Sequence, residues 1–175
     1  IYYDNPLELF ANRDPRLTGT ITLPGSNGRN RPVDIFAGLI MGNGSVVSGN
    51  SLGQIGSNTS PAPGVKLVGS DGPINGVEYS AQSGFYIRKY VDPAVGAGSR
   101  GTGSEVAFIR YRYAEVLLNA AEAAFELGNI AEAVGYINQV RDRAGFPTPL
   151  TAAQLTFDRI VNERRVELAF DGHYI

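Results

Sequence analysis

The chain is predicted to be mostly α: a helical scaffold over residues 105–175, preceded at 1–104 by a loop-rich region containing short strands. Three observations lead there. Apolar and small residues recur at helical spacing after residue 105. Before it, Gly, Pro, Ser and Asn interrupt brief apolar runs. A hydrophobic content of 43% over 175 residues is enough for one domain with a real core.

The loop-rich region opens with Asn5-Pro6, which predicts a short helix over Leu7, Glu8, Leu9 and Phe10. Asn accepts a bond from an orphan amide and Pro suits the first helical position. This helix is expected to stop near Asp14-Pro15. Leu17, Gly19, Ile21 and Leu23 then alternate with threonines, a period of two that predicts a strand ending at Pro24-Gly25. Residues 33–37 and 85–91 are the other two predicted strands. Residues 38–73 hold Val46, Leu52 and Ile55 as isolated apolar side chains and read as a surface insertion.

The helical region is expected to begin near Glu105. Its first helix carries a polar stripe of Arg112, Glu115, Asn119, Glu122 and Glu126, with Ile109, Tyr113, Leu117, Ala120, Ala121 and Ala124 at buried-type positions. Gly128-Asn129 ends it. A second helix puts Ala133, Ile137, Val140 and Ala144 on one face and stops at Gly145 and Pro147; so short a connection implies antiparallel helices. The third is predicted to start at Thr151 as N-cap, with Gln154 as its reciprocal partner and Leu150 facing Leu155 as a staple.

The first two helices resemble one tetratricopeptide-like unit, with small Ala121 and Ala133 where helices approach closely, Gly128 at the turn, and Leu117, Ile137 and Val140 around them. Leu117 and Ala121 replace the consensus aromatic and glycine. About three stacked repeats are normally needed to bury both faces of such a pair. The sequence shows roughly one and a half, so the outer face is expected to be covered by further chain, another subunit or the loop-rich region.

Composition and motifs narrow the chemistry. A net charge of -2 and a pI near 5.4, with the two signs interspersed, give no footprint for nucleic acid. The absence of cysteine removes disulfides, zinc–thiolate sites and thiol nucleophiles. No run approaches the roughly 20 apolar residues of a membrane-spanning helix. Gly96, Gly98 and Gly101 match a dinucleotide-binding turn, but the helix after them leads to another helix, with no βαβ unit to hold a dinucleotide. His173, with Asp171 nearby, is the sole histidine and reads as a capping or packing residue, and no nucleophile elbow accompanies it. No helix has two histidines at ligand spacing, so no metal site is expected. No cofactor is expected either.

Glu115 with Glu122, or Glu163 with Glu167, could in principle supply paired carboxylates. All four lie on amphipathic helices among arginines, where a solvated or ion-paired face is the simpler role. Arg159, Glu163, Arg164 and Glu167 are expected to form a partly buried structural ion-pair cluster.

In these motifs the chain resembles the SusD/RagB family of cell-surface nutrient-binding lipoproteins. FANRDPRL (10–17), GFYIRKYVDP (84–93), RYAEVLLNAAEA (112–123), INQVRDRAGFP (137–147) and IVNERRVELAFDGH (160–173) occur in that family's order. In members of the family the last motif runs on into a Phe-Asp-Leu-Arg-Arg-Trp-like segment. A long N-terminal region supplies a lipidated cysteine and further helical units. The chain is therefore expected to be a C-terminal portion, with 1–104 and 105–175 both parts of one SusD-like domain.

The resemblance implies a non-enzymatic binding protein, lipid-anchored to the outer face of the outer membrane and seated as a lid on a TonB-dependent SusC-like transporter. Its ligands would be oligosaccharides or, in some members, peptides. Sugars present an apolar face and a polar rim, which aromatic and amide side chains recognise. Tyr79, Tyr86, Asn43, Asn50 and Asn58 are the candidate ligand contacts.

Overall fold

The structure, a computed structural model, describes residues 6–28, 31–74, 83–94 and 103–172. It divides into two compact units: Ile1–Arg13 with Ile21–Glu105, and Asp14–Thr20 with Val106–Ile175. The segment Asp14–Thr20 thus lies in the loop-rich part of the sequence yet belongs to the helical unit.

The helical unit contains α1 (Leu17–Thr20), α2 (Tyr113–Glu126), α3 (Ile130–Arg143) and α4 (Phe157–Glu167). Ala114, Leu117, Leu118, Ala121 and Ala124 on α2 pack with Ala133, Ile137 and Val140 on α3, and with Leu150, Leu155, Ile160 and Leu168. Ala121 and Ala133 are both 0% exposed, as expected where two backbones approach closely. Between α2 and α3, Gly128 adopts a left-handed φ of 78°, a conformation in which a Cβ is strained. The Asn138 side chain holds the chain after α3 by donating to the Leu150 carbonyl at 2.9 Å and accepting from its N–H at 2.7 Å.

Two helix starts differ from expectation. Arg112 is extended (φ -124°) and α2 begins only at Tyr113. Ile109 and Tyr113 are consequently 41% and 72% exposed rather than buried. The Arg112 guanidinium is drawn to Glu167 and Asp171, which fixes the helix entrance there. Thr151 and Gln154 do pair, Gln154 Oε1 accepting from the Thr151 N–H at 3.0 Å, between buried Leu150 and Leu155. That pair starts a single 3-10 turn (Ala152–Gln154), and α4 has its own cap, Thr156 Oγ1 accepting from the Arg159 N–H. Threonines stand at both boundaries, and the first one is too short to be the α-helix.

Opposite the core, Tyr113, Val116 and Leu127 leave an apolar stripe along α2, at 72%, 56% and 77% exposure. One helix pair has only one buried face.

In the loop-rich unit a 3-10 helix, Pro6–Phe10, covers the short helix expected over Leu7 to Phe10, and Asn5, its expected cap, lies outside the described residues. Among the described residues three antiparallel ribbons follow: β1 (Ile21–Thr22) with β6 (Tyr86–Ile87), β2 (Asn27–Gly28) with β3 (Arg31–Pro32), and β4 (Gly38–Ile40) with β5 (Val46–Ser48). Their registers set Thr22 opposite Tyr86 and Leu39 opposite Val47.

The predicted strands shrink for identifiable reasons. Leu17–Thr20 is a helical turn rather than strand, because Asp14 Oδ1 accepts from the Arg16 N–H at 2.9 Å and Thr20 Oγ1 bonds the Arg16 carbonyl. Tertiary anchoring of Arg16 overrides the alternation. The strand expected at 85–91 stops at Ile87, and Tyr90 turns to φ 65°. Residues 34–37 pair with a loop: the Gly69 N–H donates to Phe36 and the Asp71 N–H to Asp34. A Cβ on Gly69 would lie 2.0 Å from the Asp34 carbonyl oxygen, so only glycine permits this approach.

Residues 38–73 are more than an insertion. Ala62, Leu67, Val68 and Ile74 form a small core on which Leu39, Met41 and Val47 pack. Val46, Leu52 and Ile55 stay 69%, 40% and 61% exposed.

Candidate functional site

The ribbons and loops of the loop-rich unit line a cavity of about 430 Å³ that is open to solvent, within the usual range of ligand sites, about 300–1,000 Å³. Thr22 and Tyr86 enter from facing strands, Asn27 and Arg31 from the β2–β3 ribbon, and Asp71 and Arg88 from the loops beside it. Val33, Ile87, Val91 and Pro93 supply apolar wall.

The polar wall is held together by Asp71. Its carboxylate accepts from Arg31 Nη1 at 2.7 Å and Nη2 at 2.5 Å, and from the Asp34 N–H at 3.1 Å. Burial opposes ionisation of Asp71, but the Arg31 hydrogen bonds, the Asp34 amide and the nearby positive charge outweigh it and hold the carboxyl below its ordinary value. The bond to Asp71 in turn raises the Arg31 pKa. Tyr86 donates its hydroxyl to the Asp71 carbonyl at 3.0 Å, which fixes its ring at the cavity edge.

Of the predicted ligand contacts, Tyr86 lines this cavity. Asn43, Asn50 and Asn58 are exposed and do not line it. Asn43 Oδ1 accepts from the Ser45 N–H and hydroxyl, shaping the β4–β5 turn. The Asn50 N–H donates to Gln54 Oε1. Tyr79, His173 and the glycines at 96, 98 and 101 lie outside the described residues. Arg31 and Asp71 escaped sequence reading because they meet across forty residues, with no periodicity to announce it. Arg88 stands inside GFYIRKYVDP, the one local signal available.

The second polar constellation belongs to the helical unit. Glu163 and Glu167 are 5% and 3% exposed. Arg16 Nη1 reaches Glu163 at 2.6 Å and Glu167 at 3.1 Å, Arg112 reaches Glu167 at 2.7 Å and Asp171 at 2.6 Å, and Arg141 reaches Glu163 at 3.2 Å. Arg143 also pairs with Glu167. Arg141 stacks over the Phe146 ring at 4.0 Å.

This cluster corrects the expected partners. Glu163 and Glu167 are indeed buried among arginines, but their partners come from other elements. Arg159 is exposed, and Arg164 turns to Asn119 and Glu122. Neighbours on one helix meet at its surface, whereas the core-facing carboxylates are within reach only of arginines entering from the α1 segment, α2 and α3. Both glutamates are thereby committed to arginine bonds. Among the described residues, no group of three or more His, Cys, Asp and Glu side chains could hold a metal.

The chain thus combines a helical scaffold built on a buried charge cluster with a loop-rich unit that carries a cavity. Comparison with known proteins gives the chain its family. The SusD family profile matches residues 1–175. SusD-like protein P2 of Formosa agariphila (strain DSM 15362) is 43% identical over 96 residues, covering 49% of this chain and 19% of that protein.

A SusD-like protein from Bacteroides fragilis NCTC 9343 shares the fold at a TM-score of 0.58 and 24% identity, over 97% of this chain and 28% of its own. A SusD-like carbohydrate binding protein from the same organism gives 0.51 and 23%, over 98% of this chain and 30% of its own. The chain belongs to the SusD family. It spans less than a third of the length of these relatives.

Proposed function

We propose that this chain is part of a nutrient-binding protein at the surface of the outer membrane, held there by a lipid anchor, which captures oligosaccharides and passes them to a TonB-dependent SusC-like transporter. The observation that carries this reading is the Tyr86-edged cavity in a chain matched along its length by the SusD family. A sugar ring sets its C–H face on Tyr86, Ile87 and Val91, while Asn27, Thr22 and the Arg31–Asp71 pair meet its hydroxyls. A relative of the same fold is a carbohydrate binding protein, which supports glycan over peptide.

The helical unit supplies rigidity, its buried charge cluster fixing four segments in one arrangement. A panel of oligosaccharides and oligopeptides, titrated against the full-length protein and its Tyr86→Ala variant, tests the reading. Glycan binding weakened by Tyr86→Ala is expected. Binding of peptides alone would move the assignment to the peptide-binding members.

A second reading rests on the exposed Tyr113, Val116 and Leu127 stripe of α2. In it the helical unit is a tetratricopeptide-type adaptor for another protein. Pull-down of a partner protein that is lost on Val116→Glu, with no glycan response, would favour it.

A further inference from the structure

The cavity in the loop-rich unit holds more positive than negative charge. Arg31 and Arg88 both line it, and Asp71 is the sole carboxylate among its described lining residues. Both Asp71 oxygens are occupied by Arg31, one also by the Asp34 N–H. One guanidinium is therefore neutralised within the wall. Arg88 makes no side-chain hydrogen bond or ion pair among the described residues. It stands where the chain leaves β6, between Ile87 and the left-handed Tyr90, and Val33, Val91 and Pro93 share the cavity with it.

An exposed arginine on a flat surface is simply solvated. Arg88 is exposed, as are Val91 and Pro93, but it shares a concave lining with them, where an anionic ligand that covers the apolar pair sheds water from the guanidinium as it binds and gains more from it. Its planar fork fits the paired oxygens of a carboxylate or a sulfate.

We infer that the ligand is an acidic oligosaccharide, whose carboxylate or sulfate group is taken by Arg88 while a neighbouring sugar face rests on Val91 and Pro93. Arg31, fixed by Asp71, adds a second, already balanced donor set for hydroxyls. This inference rests on the proposed use of the cavity for glycans and adds the class of glycan.

Calorimetric titration of the full-length protein with three size-matched probes tests it: a galacturonic acid tetramer, a sulfated galactose tetramer and a neutral galactose tetramer, each at low and high salt. At least one acidic tetramer is expected to bind about tenfold tighter than the neutral one, the value of one charge-assisted contact, with the margin shrinking in salt. Preference for the uronate assigns a carboxylate, and preference for the sulfated tetramer assigns a sulfate ester. Arg88→Gln is expected to erase the preference, and Arg88→Lys to restore part of it, with the melting temperature unchanged in both.

Equal binding of all three tetramers, or a preference that survives Arg88→Gln, overturns the inference and leaves the oligosaccharide reading standing. Binding of none of them, together with silence across a wider glycan panel, overturns both.

Discussion

The two units reach order by opposite routes. The helical unit buries twelve side chains in one continuous core and adds two buried glutamates tied to four arginines. Among its described residues the loop-rich unit buries six, four in one small cluster and Leu23 and Val33 outside it, and relies on two-stranded ribbons, backbone approaches allowed by glycine, and the surface pairs Arg31–Asp71 and Lys66–Asp34. The first arrangement resists local change. The second leaves walls of mixed polarity open to solvent, which is what a recognition surface needs. On the proposed reading the contrast separates support from recognition, and substitutions in each unit should show it.

The largest effect is expected from Glu167→Ala. It removes the acceptor shared by Arg16, Arg112 and Arg143; Arg16 keeps Asp14 and Glu163, and Arg112 keeps Asp171, but the buried network loses one of its negative charges, a class of change that costs about 4 kcal/mol. Thermal unfolding should show it as a large drop in melting temperature. Leu118→Ala, at a fully buried position, should cost about 3 kcal/mol through the cavity it leaves, measurable as a lower denaturant midpoint.

In the loop-rich unit, Gly69→Ala forces a Cβ against the Asp34 carbonyl oxygen, and overpacking of this kind costs about 2 kcal/mol. Its signature should be faster hydrogen exchange at 34–37 and 69–71, with α2–α4 unchanged. Thr156→Ala removes the α4 cap and should cost about 1 kcal/mol.

The smallest expected effect is the pH response of Asp14. Burial works against its ionisation, but the Arg16 side chain and N–H and the charges of Arg16 and Arg141 win, so its folded pKa lies below the ordinary 3.8. A carboxyl depressed in the folded state stabilises above its unfolded pKa, and that contribution is lost as pH falls through the folded value. An acid titration of stability should therefore decline more steeply below about pH 4 in the wild type than in Asp14→Asn.

Legibility in the sequence followed the same division. On α2 and α3, Leu117, Ala121, Ala133, Ile137 and Val140 could be placed from spacing, because a helix core repeats locally. Arg16 could not. Nothing near it signals that it crosses to Glu163 and Glu167, well over a hundred residues away, and its anchoring converts a threonine-alternating stretch into a helical turn. Of the ligand candidates, all chosen by residue type, Tyr86 lines the cavity because the β1–β6 pairing sets it opposite Thr22. Among the asparagines, loop geometry turned Asn43 to the N–H and hydroxyl of Ser45. Long-range pairs such as Arg31–Asp71 are set by ribbon and loop geometry, which short-range patterning does not encode.

The central claim is that recognition resides in the cavity of the loop-rich unit, while the helical unit is blind to ligand. Hydrogen–deuterium exchange of the full-length protein, with and without the oligosaccharide that binds it most tightly, tests this most directly. Slowed exchange confined to 22–33 and 86–93, with α2–α4 unaltered, is the expected result. Slowed exchange along α2–α4, with none around Tyr86, would contradict it.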